Sequence, residues 1–148
     1  MPEKETIERA RRDKRQGKAP STQAGEFVRE EIHHIREGKH GARNTKQAIA
    51  IGLSKARRAG VKLGTPKNAS AATKRSAKSA ARAGRKRAKP SRRRSRAMLR
   101  KLKREGRSAV SRKALSRQSR AAARRRPAAA RRRAAKKAAQ TRKRQAST

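Results

Sequence analysis

Apolar positions in the first 63 residues recur at helical rather than strand spacing. In "STQAGEFVREEIHHIREG", residues 21–38, Ala24, Val28, Ile32 and Ile35 fall three or four apart, with Phe27 flanking the same face. Such a stripe is one side of an amphipathic helix. Ser21 or Thr22 is placed to cap it and Gly38 to stop it. A second stripe lies in "NTKQAIAIGLSKARRAG", residues 44–60: Ile49, Leu53 and Ala56, with Ile51 beside them. Asn44 followed by Gln47 resembles a capping box, and Gly60 ends the run. Ahead of both, "PEKETIERARRDKRQG" has Pro2 at a position suited to a helix start. Glu3 and Glu5 sit near its positive end, and Lys14 and Arg15 precede Gly17. The short alternation "AIAIGL" does not amount to a strand signal inside a helical pattern.

Beyond Gly64 and Pro66 the pattern changes. The large apolar residues thin out to Met98, Leu99, Leu102, Val110 and Leu115, set in Ala, Lys, Arg and Ser. Ala and Arg favour helix, but like charges four residues apart oppose it. Two segments are helix-prone, near 91–105 (Ser91 as cap, Gly106 as stop) and near 128–140, and Pro90 and Pro127 divide them. The sequence predicts a mainly α protein. A small N-terminal unit, residues 1–64, holds about three short helices near 3–16, 22–37 and 45–59. A long basic tail, residues 65–148, is expected to be largely disordered, or helical only when a ligand is bound. About ten large apolar side chains make a thin core for the head, which dimerisation or a ligand would help to stabilise.

Charge decides the class of partner. The 148 residues carry 49 Lys and Arg against 9 Asp and Glu, a net charge of +40. Residues 1–64 hold 16 of the basic residues and 8 of the acids. The tail holds the other 33, with Glu105 as its one acid. A tail of that density is expected to bind phosphate polymers, since each neutralised phosphate releases condensed counterions. In the head the candidate contacts are Lys55, Arg57 and Arg58. In the tail they begin with Arg85, Lys86 and Arg87 and continue through Arg92, Arg93, Arg94 and Arg96. Arg100, Lys101, Lys103 and Arg104 follow, and then the triplet Arg124, Arg125 and Arg126. The last group is Arg131, Arg132, Arg133, Lys136 and Lys137. Arginine clusters offer forked contacts to phosphate that lysine cannot. Stacking on single strands is disfavoured, because Phe27 is the one aromatic residue and lies outside the tail.

Other chemistry finds less support. There is no Cys, which excludes disulfides and Cys-based zinc sites. No Gly-rich phosphate loop or nucleophile motif occurs, so no enzyme and no small-molecule substrate are expected. "REEIHHIREGKH" places Glu30, Glu31 and Glu37 each three residues before a histidine. Glu-x-x-His serves di-metal bundles when two helices supply it; here one helix is available, so no metal and no cofactor are expected. His33 is expected to pair with Glu30 or Glu37 on a solvated face. No stretch has the length and apolarity of a signal peptide or membrane span.

The blocks "STQAGEFVREE", "REGKHGAR" and "KQAIAIGLSKARRAG" resemble a family of small basic bacterial proteins whose domain has no known function. The resemblance covers residues 5–63. It implies no activity and transfers no functional residue. The tail is similar in composition to the Ala/Lys/Arg tails of bacterial histone-like proteins. The expectation is a cytoplasmic, nucleoid-associated protein that binds and compacts duplex DNA without base specificity. RNA or the ribosome is the alternative, as is an adaptor role in which the head docks a protein partner or a second copy.

Overall fold

The computed structural model describes residues 2–87 and 89–147. Those residues form seven α-helices and one short 3-10 turn, with no strand among them. The first three helices are α1 (Lys4–Arg15), α2 (Pro20–Arg36) and α3 (Thr45–Arg58). The Asn44 side chain accepts the Gln47 amide at 2.8 Å, and Gln47 Oε1 accepts the Arg43 amide at 2.7 Å. This is a reciprocal cap, moved one residue outward because the Gln side chain reaches past Asn44. α2 starts earlier than Ser21 or Thr22 would place it. Ala19 is its N-cap and Pro20 its first residue, with proline's fixed φ and missing amide suiting that position. Gly17, Gly38 and Gly60 take positive φ just past the helix ends, as stops do.

Two compact units are present, Met1–Ser111 and Arg112–Thr148. In the first, α2 packs against both α1 and α3. Ala10, Ala24, Phe27 and Ala56 form one buried cluster, supported by Ile7, Leu53, Val61 and Leu63. Burying a side chain such as Phe27 contributes about 1.5–3 kcal/mol. Ile35, Ala42, Ala48, Ala109 and Val110 form a second cluster with Ile32 against it. The buried stripe of α3 differs from the expected Ile49, Leu53 and Ala56. It is Thr45, Ala48, Gly52 and Ala56, while Ile49, Ile51 and Leu53 are half-buried flanks. Close approach of two helices selects small residues: a Cβ on Gly52 would stand 2.6 Å from Val28 Cα.

The expected disordered tail is not what the structure shows. Residues beyond Gly64 form α4 (Ala71–Arg85), α5 (Arg92–Lys103), a 3-10 turn (Ser108–Val110), α6 (Arg112–Arg124) and α7 (Ala128–Ala146). α4 packs along α3, burying Ala77 and Ala80, and its Gly84 lies against the Arg57 carbonyl. An alanine face is therefore a packing face, although it reads as low complexity. Val110 is fully buried, Thr45 Oγ1 donates to the Ala109 carbonyl at 2.6 Å, and Arg36 reaches the Val110 carbonyl at 3.2 Å. The first unit thus runs past the change in composition at Gly64. In the second, α6 and α7 have no buried residue among those described. Their helicity follows the local preference of Ala and Arg.

Candidate functional site

The basic residues fall into two structural classes. Along α5 every residue from Ser91 to Lys101 is exposed, including Arg92, Arg93, Arg94, Arg96, Arg100 and Lys101, and Lys103 and Arg104 follow. Only Leu102 of that helix is buried, and its carbonyl accepts the Gly41 amide at 2.9 Å. Arg85, Lys86 and Arg87 are exposed at the end of α4, as is Arg58 at the end of α3. In the second unit, Arg124, Arg125 and Arg126, then Arg131, Arg132, Arg133, Lys136 and Lys137, are exposed as well. The first unit places no acid among the α5 cations: Glu105 follows the helix.

Two residues of the candidate set behave differently. Arg57 is half-buried and donates to the Gly64 carbonyl at 3.2 Å. Lys55 turns inward, its ammonium 2.7 Å from Glu31 Oε2 and 3.4 Å from Glu30 Oε1. A cation held by two buried carboxylates is withdrawn from the exposed basic surface. The reason lies in α2, whose inner face carries Glu30, Glu31 and His34 beside Phe27 and Ile35.

That inner face builds a second constellation. Glu31 is fully buried and Glu30 nearly so. The Glu3 amide at the start of α1 donates to Glu30 Oε2 at 3.2 Å, and the Glu3 carboxylate lies 2.8 Å from His34 Nε2. The loop after α2 then returns to the same place. Gly41 sits so close to the Glu105 carbonyl that no Cβ fits, and its amide binds Leu102. This pins His40, which is buried, with Nε2 3.2 Å from Glu31 Oε1 and Nδ1 3.1 Å from the Gly41 carbonyl. Neither Glu31 oxygen is aligned with a hydrogen-bond donor, despite the close approach of Lys55 and His40. The carboxylate is held by charge rather than by directed bonds. Ligand atoms of Glu31, His34 and His40 all lie within 4.8 Å of one another.

Counting helices alone misses this cluster. The second element that the Glu-x-x-His spacing lacked is the loop at 38–43, with α1 supplying Glu3. His33, in contrast, is exposed and pairs with Glu37 at 2.9 Å rather than with Glu30. At the rim, the His34 hydrogen bond, aided by Lys39, holds the Glu3 carboxyl below the usual carboxylate range. Lys39 lowers Glu37 in the same way, chiefly by a hydrogen bond, and Glu37 raises Lys39 in return.

No helix among the described residues is long and apolar enough to cross a membrane. No family model, no curated protein and no solved structure matches the chain.

Proposed function

We propose that the protein binds nucleic acid without base specificity, duplex DNA ahead of RNA, and compacts it in the manner of a histone-like nucleoid protein. The observation that carries this reading is charge without counter-charge: 33 Lys and Arg accompany one acid beyond Gly64. The exposed cations of α5 meet backbone phosphates, and the Arg triplets of residues 124–126 and 131–133 give forked contacts. Such contacts position a protein on a duplex but carry no sequence information.

Like charges also set the stability of the second unit. In α7, Arg132 and Lys136, and Arg133 and Lys137, stand four residues apart with no acid nearby in the sequence. Each such pair costs a few tenths of a kcal/mol in isolation. Phosphates remove that repulsion, so bound DNA stabilises the helices α6 and α7 as they stand.

The test is competition between unrelated duplexes of equal length, measured by fluorescence anisotropy at fixed salt. Affinities within a few-fold of one another support the reading, and a strong preference for one sequence overturns its non-specificity. Structured RNA in the same assay tests the order of preference: equal affinity would remove the priority of DNA.

A further inference from the structure

We propose that Glu31, His34 and His40 form a binding site for one first-row divalent metal ion of the zinc class. Hydrogen-bond accounting supports it. A backbone carbonyl only accepts, so the 3.1 Å contact with Gly41 assigns the proton of His40 to Nδ1. Nε2 then turns its lone pair toward Glu31 Oε1, 3.2 Å away. Two lone pairs at that distance repel unless a cation or a second proton lies between them. His34 repeats the arrangement: its Nε2–H donates to Glu3 at 2.8 Å, leaving Nδ1 to face the carboxylates.

Both rings are thus oriented as metal-bound imidazoles are, one by a carboxylate and one by a carbonyl. The third ligand is a fully buried carboxylate with no directed hydrogen bond. A tetrahedral ion bonded at about 2.0–2.1 Å keeps its ligand atoms about 3.3 Å apart. The Nε2–Oε1 separation of 3.2 Å matches that edge. The fourth ligand would be a water, with Glu30 Oε1 at the edge of the cluster, 4.0 Å from His34 Nδ1 and 3.4 Å from the Lys55 ammonium.

Charge agrees. Glu3, Glu30 and Glu31 converge here against Lys55 and a Lys39 that is shared with Glu37. Two imidazoles select zinc and its neighbours over calcium or magnesium. Lys55 occupies Oε2 and leaves Oε1 for the ion. The site joins α2 to the loop at 38–43 and, through Glu3, to α1, so bound metal acts as a staple on a thin core.

The test uses the full chain and metal ions alone. One Co²⁺ per chain is expected, with the visible absorption of a four-coordinate site, displaced stoichiometrically by Zn²⁺. His40→Gln is expected to weaken Zn²⁺ binding at least about 100-fold, and Glu3→Gln by about 10–100-fold. His33→Gln is expected to leave it unchanged. Circular dichroism reports whether each variant folds. Should His40→Gln not fold, the wild-type spectrum and Glu3→Gln carry the decision. Absence of a saturable Co²⁺ band from the folded wild type overturns the proposal, and a proton then bridges His40 and Glu31. So does Zn²⁺ binding of equal strength in a folded His40→Gln variant.

Discussion

The Lys55 ammonium lies 2.7 Å from Oε2 of the fully buried Glu31, and that pair ties α3 to the C-terminal half of α2. Breaking such a pair strands a charge, at about 3–5 kcal/mol. Glu31→Leu is expected at the lower end, because Glu30 remains 3.4 Å from the ammonium. Adding Lys55→Met should not recover the loss, because it leaves Glu30, itself buried, without its cation. Urea unfolding followed by circular dichroism measures both. Equal stability of wild type and Glu31→Leu would show that the pair is not buried as described.

Two glycines in neighbouring helices should respond oppositely to alanine. Gly52→Ala pushes a Cβ to within 2.6 Å of Val28 Cα and is expected to cost about 1–3 kcal/mol. Gly25→Ala meets nothing within 4 Å inside α2 and should stabilise by about 0.5–1 kcal/mol. Thermal unfolding of the two variants gives the comparison. The same sign for both would contradict the close crossing of α2 and α3.

The extent of the first unit is tested by truncation. A chain ending after Ser111 keeps Ala109 and Val110 in the cluster with Ile35, Ala42 and Ala48, and should unfold cooperatively. A chain ending after Gly64 lacks them, along with Ala77 and Ala80 of α4, and should melt broadly at lower temperature. Equal cooperativity in the two fragments would return the boundary to Gly64.

How far the chain can be read without its structure follows from these residues. Asn44, Gln47 and the three stop glycines act through neighbours in sequence, so their roles were legible. Ala77, Ala80, Ala109 and Val110 sit in stretches where composition signals solvation, and only long-range packing buries them. Glu30, Glu31 and His34 were misleading for a related reason. Charged residues on a helix normally face water, and their burial depends on Glu3, His40 and Lys55 arriving from three other segments. The cations of α5 needed no such partner: they are exposed, as charged residues on a helix ordinarily are.

Acid should loosen the rim of the cluster. Lys39 holds Glu37 below its ordinary value of 4.5, so the folded state binds this proton less readily than the unfolded one. The resulting stabilisation is full above pH 4.5 and is lost as pH falls through the lower folded value. Lys39 is raised above 10.5, so its share is full below that pH and lost as pH climbs through the folded value. Both groups are solvent-exposed and the effect is small. Glu37→Gln should flatten the fall in unfolding midpoint as pH drops below 4.5; identical profiles for the two proteins would contradict the pairing.

The most direct measurement of the proposed function is the salt dependence of duplex DNA affinity, for the full chain and for residues 1–111. Residues 112–148 carry 15 Lys and Arg and no acid. Each phosphate that the shorter chain leaves unneutralised should reduce the log–log slope by about 0.9. A clearly shallower slope and weaker binding at low salt are predicted for residues 1–111. Identical slope and affinity for the two proteins would contradict phosphate neutralisation by the second unit.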